Sequence, residues 1–142
     1  MARDDQETLN SGQAAACRGI DHIAMRVSSL KASGPYYAAL LPLLGFAPAG
    51  ETAWRNGSGL VLHFSEADEG ARPYDRYGAG MNHLGFSVTS AAAVADVRAA
   101  MAAAGFLVPE IQRFGAASAL FMKDPDGIRF EVTYDPAVEE RR

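Results

Sequence analysis

The residues of this chain best suited to chemistry are its three histidines and one glutamate at the matching point of an internal repeat. These four residues are His22, His63, His83 and Glu131. Imidazole and carboxylate groups together bind divalent zinc, iron, nickel, cobalt or manganese, and the sequence does not discriminate among these ions. A duplicated unit that brings three imidazoles and one carboxylate to equivalent points predicts a single divalent-metal site.

The repeat is visible in two pairs of segments. Gly19–Val27 matches Gly80–Val88, which makes the first and third histidines equivalent. Gly59–Phe64 matches Gly127–Val132, which makes the second histidine equivalent to the glutamate. Such self-similarity indicates a fold built from two copies of one supersecondary unit.

Composition narrows the class of protein. The 142 residues fit one compact domain, or two small halves that share a core. The net charge of −4 argues against a nucleic-acid partner, and no apolar run is long enough to span a bilayer. Cys17 is the only cysteine and no signal peptide is recognisable, so we expect a cytoplasmic protein whose partner is a small-molecule substrate.

The first unit is predicted to fold in the order β-α-β-β-β. An alternating strand at His22–Val27 precedes helix signals, with two consecutive serines that offer the N-cap. Pro42 cannot donate a backbone hydrogen bond, so it should bend or end the helix near Leu41, before a stop at Gly45. Three further strands are expected at Phe46–Ala49, Thr52–Arg55 and Leu60–Ser65.

The second unit repeats this order. A strand at Met81–Val88 leads to a helix whose apolar stripe is Val94, Val97 and Met101, with its stop at Gly105. Strands are expected at Phe106–Glu110, Ser118–Lys123 and Ile128–Tyr134, with a proline- and glycine-containing turn before the last strand.

These units divide the chain into five parts. They are a flexible leader at 1–18, a first module at 19–67, a linker at 68–79, a second module at 80–135 and a frayed tail at 136–142. The linker is long enough for the two modules either to pair within one chain or to exchange between two chains.

Strand alternation places each candidate ligand on the smaller or more polar face of its strand. The oily face of each strand is left to pack on a helix, so two such half-sheets would curve around a shared polar cavity. Arg26 and Arg129 share faces with candidate ligands and could hold an anionic substrate group, and Trp54 could line the cavity mouth.

Four motifs resemble those of the vicinal oxygen chelate superfamily. They are Asp21–Ile23, Asn82–Phe86, Tyr36–Leu41 and Asp124–Glu131. This superfamily includes glyoxalase I, extradiol dioxygenases, methylmalonyl-CoA epimerase, and fosfomycin and bleomycin resistance proteins. The resemblance covers roughly Gly19–Tyr134 and is greatest to small glyoxalase-like proteins.

The resemblance implies an α+β fold in which two tandem βαβββ modules form a cupped mixed sheet with the helices on the outside. It also implies a divalent metal held from the first and last strands of each module, at His22, His63, His83 and Glu131. His63 departs from the family, since glyoxalase I carries glutamate there, the epimerase carries glutamine, and extradiol dioxygenases place no ligand there. A homodimer is a further implication.

The leading functional hypothesis is a metal-dependent lyase or isomerase of the glyoxalase kind. The metal would bind vicinal oxygens of a small substrate and acidify an adjacent C–H, and Glu131 would shuttle the proton, as its counterpart does in glyoxalase I. A glutathione hemithioacetal is the first substrate to test, although the chain has no recognisable glutathione signature.

Two alternatives remain open. Without His63, the other three candidates resemble the 2-His-1-carboxylate triad of an Fe(II) extradiol dioxygenase. A non-catalytic protein like the bleomycin-resistance members would bind a drug or metabolite in the same cavity without metal.

Overall fold

Both units fold as predicted, in the order strand, helix and three strands. The computed structural model describes residues 16–139, so most of the predicted leader and the last three residues of the tail lie outside the described residues. The first unit contains β1 His22–Val27, α1 Leu30–Leu43, β2 Ala47–Pro48, β3 Ala53–Arg55 and β4 Val61–Glu66. The second contains β5 His83–Ser87, α2 Ala91–Ala103, β6 Gln112–Phe114, β7 Ala117–Lys123 and β8 Arg129–Tyr134, followed by α3 Pro136–Glu139.

Both long helices begin and end with the same devices. The hydroxyls of Ser29 and Ser90 accept hydrogen bonds from the N–H groups of the third residue along, at 3.1 and 3.0 Å. Gly45 (φ +84°) and Gly105 (φ +91°) follow the helix ends in the left-handed conformation that glycine adopts at low cost. The predicted glycine stops are therefore confirmed.

Helix α1 runs slightly past Leu41, near which Pro42 was expected to bend or end it. The helix continues to Leu43. Proline lies in the last turn, where it removes only its own N–H donor, and the Leu44 N–H still donates to the Leu41 carbonyl at 3.0 Å. Pro42 lies so close to the C-terminal end of α1 that little of the helix follows it and can be disrupted.

One expected strand of the second unit is absent from the structure. No strand forms at Phe106–Glu110, where Pro109 has no N–H to give to a neighbouring strand and the Arg98 guanidinium instead binds the Pro109 carbonyl at 2.8 Å. The strand begins later, at Gln112. The tail is not wholly frayed, because its first four residues form α3.

The predicted α+β fold of two modules is confirmed, and each module forms a four-stranded mixed sheet. The orders are β1-β4-β3-β2 and β5-β8-β7-β6, and in each sheet the first and last strands of the module run parallel. Each helix packs on the apolar face of its own sheet, away from the histidines. Strands β1 and β5 therefore lie at sheet edges, each with one strand neighbour within residues 16–139.

An aromatic cluster joins the two modules. The Tyr37 ring lies between Phe64 of the first sheet and Phe130 of the second, with ring centroids 4.3 and 5.6 Å away. Its hydroxyl donates to Asp124 Oδ2 at 2.6 Å, and Phe46 meets Phe86 across the same boundary at 5.9 Å. These contacts fix the orientation of the modules within one chain.

Among the described residues, no helix is both long and apolar enough to cross a membrane.

Candidate metal centre

The strand registers show that the repeat seen in the sequence is also present in the structure, because the candidate ligands of the two modules have equivalent positions. In the first sheet Ala24 lies opposite His63, two residues along from the position of His22. In the second sheet Gly85 lies opposite Glu131, two residues along from the position of His83. The two candidate ligands of each module are thus diagonal neighbours on adjacent parallel strands, and they share one face.

Each diagonal pair is in close contact. The rings of His22 and His63 have centroids 5.9 Å apart in an edge-on arrangement. His83 Nε2 lies 3.0 Å from Glu131 Oε2, with the two side chains 39% and 20% exposed. His22 is 57% exposed, so solvent reaches both pairs. The predicted ligands therefore come together two by two, on accessible sheet faces.

One chain does not bring all four together. Within residues 16–139, no group of three or more His, Cys, Asp or Glu side chains is arranged to hold a metal ion. Within the described residues of one chain, the four candidates are therefore not gathered into one cluster.

The residues directly before His22 and His83 contact the Nδ1 atoms of these two histidines. Asp21 Oδ2 lies 2.6 Å from His22 Nδ1, and Asn82 Oδ1 lies 2.6 Å from His83 Nδ1. Asn82 Nδ2 donates to the Arg76 carbonyl at 2.8 Å, which leaves Oδ1 as the acceptor toward His83. An acceptor beside Nδ1 favours the tautomer that leaves Nε2 as the ligating nitrogen, the arrangement typical of metal-bound imidazole.

Sequence reasoning missed this role, although the signal was present. Asp21 and Asn82 are repeat-equivalent oxygen-bearing residues, each directly before a histidine and just outside its strand. A residue inside the strand would point to the opposite face, whereas these two fold back to the imidazole.

The predicted substrate residues have different surroundings. Arg26 is turned toward the linker, where Nη1 donates to the Glu66 carbonyl at 2.7 Å and to Asp68 Oδ1 at 3.3 Å. Trp54 lies opposite the fully buried Leu62, so it packs against the core on the face away from the ligands. The position of Trp54 does not fit the predicted place at the cavity mouth, because strand alternation turns it inward.

Arg129 lies on the ligand face. It is the register partner of His83, and its guanidinium carbon is 4.1 Å from the centroid of the Phe121 ring. Phe121 and Lys123, which sequence reasoning did not single out, share this face because they lie opposite Glu131 and Arg129. The side of the second sheet that carries His83 is therefore lined with cationic and aromatic groups.

The strongest electrostatic perturbation in the described residues lies away from the candidate ligands, at the boundary between the modules. Burial raises the pKa of the Asp124 carboxyl above its ordinary value, while hydrogen bonds from Tyr37 and from the Ile128 and Asp126 N–H groups oppose the shift. Burial and the contact with Asp124 also raise the pKa of Tyr37. This pair is structural, since it joins α1 to the turn before β8.

The paired βαβββ fold with a ligand-bearing face on each sheet defines the class of protein. The chain matches the family model described as "Glyoxalase/Bleomycin resistance protein/Dioxygenase superfamily" over residues 19–132. The chain belongs to this superfamily, and the resemblance inferred from its motifs is confirmed.

Solved structures agree with this assignment of the fold. A glyoxylase/bleomycin resistance protein/dioxygenase domain from Frankia sp. EAN1pec is 25% identical with a TM-score of 0.66, over 82% of this chain and 96% of that chain. A glyoxalase/bleomycin resistance protein from Albidiferax ferrireducens T118 is 22% identical with a TM-score of 0.64, over 82% and 98%. A lactoylglutathione lyase from Agrobacterium tumefaciens is 21% identical with a TM-score of 0.57, over 84% and 95%. No curated protein matches the chain significantly.

Proposed function

We propose that this protein is a metal-dependent lyase or isomerase of the glyoxalase kind, active as a homodimer on a small substrate with vicinal oxygens. The observation that carries the proposal is that four metal-compatible side chains occur as two pairs of identical register, on accessible faces of two separate sheets. Each pair supplies two donors, and a catalytic metal site needs at least three. A second copy of the chain is the source of the missing pair.

The sheet edges support this assembly. The ligand-bearing strands β1 and β5 are the edge strands of their sheets, and exposed edges present unpaired backbone groups that readily take another strand. An approach of β1 in one chain to β5 in another would bring His22 and His63 beside the partner's ligand pair. Two-fold symmetry would then form two equivalent sites, each shared between two chains.

The donors of these pairs fit a divalent transition metal. Three imidazoles and one carboxylate are borderline ligands of the type preferred by zinc, iron, nickel and cobalt. The contacts of Nδ1 with Asp21 and Asn82 would leave Nε2 of both histidines as the ligating nitrogen. The 3.0 Å contact of His83 Nε2 with Glu131 Oε2 supports the proposal that these two side chains bind the same cation.

Chemistry then divides between the metal and the chain. A bound divalent ion supplies Lewis acidity, which lowers the pKa of a C–H next to a polarised substrate oxygen. Glu131 accepts the proton from that carbon and returns it to the neighbouring one. Glu131 is the one carboxylate among the four donors, and an ionised carboxylate only accepts protons and hydrogen bonds. His22, His63 and His83 hold the site without moving the proton.

The test combines metal content, assembly and turnover in one preparation without an affinity tag that binds metal. The proposal predicts a dimer with up to two divalent ions, and isomerisation of a glutathione hemithioacetal or another hydroxyacyl substrate that is lost in Glu131→Gln. A monomer that binds no divalent ion would contradict it. Dioxygen-dependent ring cleavage after anaerobic iron loading would replace it with the dioxygenase alternative, and a metal-free protein holding an organic molecule would replace it with a binding protein.

A further inference from the structure

We propose that the ligand-bearing face of the second module binds an organic acid with an apolar body. The carboxylate would lie between Lys123 and Arg129, and the apolar body would occupy the cleft beside Phe121. This inference names the substrate class of the site described above, and it therefore rests on the proposed function.

Two cations face each other on this sheet without a carboxylate to neutralise them. Lys123 is directly opposite Arg129 in the antiparallel pair β7–β8, which sets their Cβ atoms about 5 Å apart. Like charges at this spacing destabilise a sheet. Within residues 16–139 neither residue forms an ion pair, and Glu131, on the same strand as Arg129, contacts His83 instead. An anion between the two cations would relieve their repulsion.

Arg129 is positioned to receive such an anion. Its guanidinium stacks over the Phe121 ring at 4.1 Å, and its Nε is buried with no hydrogen-bond partner among the described residues. Stacking fixes the plane of the guanidinium and leaves its N–H donors available. A carboxylate matches a planar guanidinium with two parallel hydrogen bonds, which a neutral amide cannot reproduce.

The apolar half of the ligand follows from the adjoining cleft. This cleft has a volume of about 370 Å³ and is lined by Leu107, Val108, Pro109, Phe121 and Lys123. Leu107 is 97% exposed, so an apolar surface faces solvent beside the cationic pair. The volume lies within the range of small-molecule sites. An occupant with an apolar body and one negative end satisfies both halves of the surface.

Binding to the metal-free full-length protein tests the inference directly. The probes are 3-phenylpropanoate, its neutral amide and propanoate. Their binding is measured by calorimetry and by the chemical shifts of the protein's backbone N–H groups. The acid should bind at least tenfold more tightly than either comparison compound. Lys123→Gln and Arg129→Gln should each weaken binding of the acid about tenfold or more without changing that of the amide. Lys123→Arg should keep the affinity.

The matched control is Lys31→Gln, which removes one positive charge from the exposed surface of α1. The inference is wrong if Lys31→Gln weakens binding of the acid as much as Lys123→Gln does. It is also wrong if the amide binds as tightly as the acid. Because Lys123 is exposed, we expect its substitution to leave the core and the folding of the protein unchanged.

Failure of this inference is distinguishable from failure of the proposed function. A protein that binds divalent metal but not 3-phenylpropanoate would overturn the acid site alone. A protein that binds the acid, with the dependence on Lys123, but never takes up metal would support the acid site and overturn the metal-dependent reaction.

Discussion

The two modules share a register but differ in what surrounds each ligand pair. In the first module the neighbours of His63 across the sheet are Ala24 and Ala53, both small and neutral. In the second module the neighbours of Glu131 are Gly85 and Phe121, and the adjoining row carries two cations. Where the second module sets Lys123 opposite Arg129, the first sets Arg55 opposite Val61.

The difference suggests a division of work on a duplicated scaffold. Duplication gave both modules the same diagonal placement of two donors. The first module keeps two imidazoles, one of them beside the Asp21 carboxylate, which suits metal binding. The second combines a carboxylate with cationic and aromatic neighbours, which suits proton transfer and the orientation of an anionic substrate.

The largest expected effect separates these two tasks. At saturating metal, Glu131→Gln should lower kcat by about 10²- to 10⁴-fold, because it removes the general base. His63→Gln should weaken metal affinity strongly yet retain kcat within about tenfold once the site is filled. Steady-state kinetics over a metal titration measure both quantities. Equal losses of kcat in the two variants would contradict the proposed division between the modules.

The residues that orient the histidines should have the next largest effect. Asp21→Ala should weaken metal affinity about 10- to 100-fold, because His22 loses the acceptor that holds the proton on Nδ1. Asp21→Asn should recover most of this affinity, since Asn82 occupies the equivalent position in the second module and contacts His83 in the same way. Chelator competition gives the affinity, and nitrogen chemical shifts of His22 report its tautomer. An unchanged tautomer in Asp21→Ala would show that Asp21 has no orienting role.

The boundary between the modules can be tested through stability. Tyr37→Phe should lower the free energy of unfolding by about 1–3 kcal/mol, because buried Asp124 loses a hydrogen-bond donor. Tyr36→Phe is the matched control, since the Tyr36 hydroxyl is buried without a hydrogen-bond partner in the described part of the chain. Urea denaturation should show little loss for Tyr36→Phe. A comparable loss in both variants would mean that the Tyr37–Asp124 hydrogen bond contributes nothing.

A smaller effect is expected in the pH dependence of stability. The pKa of Asp124 is raised in the folded state above its ordinary value of 3.8, so the folded protein holds this proton at pH values where the unfolded chain has released it. The free energy of unfolding should therefore fall as pH rises from about 4 through the folded-state pKa, and then level off. Asp124→Asn should remove this fall when the two proteins are compared by urea denaturation. Parallel pH profiles would exclude the contribution.

Much of the fold could be predicted because its signals are local. Serine before each helix, Gly45 and Gly105 after them, and alternation along β1 and β8 each act within a few residues. The differences arose where position within the structure overrides such signals. Pro42 is harmless because it falls in a final turn, and Phe106–Glu110 has an apolar strand-like composition but lies along a cleft.

The candidate site was predictable in its pairs but not in its assembly. Repeat equivalence identified His22 with His83 and His63 with Glu131, and the registers place each diagonal pair on one face. The relative placement of the two pairs depends on packing between the modules, which includes the contacts of Tyr37 with Phe64 and Phe130. No periodicity in the sequence encodes that packing, so the sequence left open whether one chain or two complete the site.

The most direct test of the shared site is complementation between two disabled chains. His22→Ala/His63→Ala removes the ligands of the first module, and His83→Ala/Glu131→Ala removes those of the second. Each variant alone should bind no metal at the shared site. After the two variants are mixed under conditions that exchange subunits, mixed dimers should contain one intact site, with metal binding and activity restored in proportion to their fraction. A mixture that binds no more metal than its separate components would contradict the account.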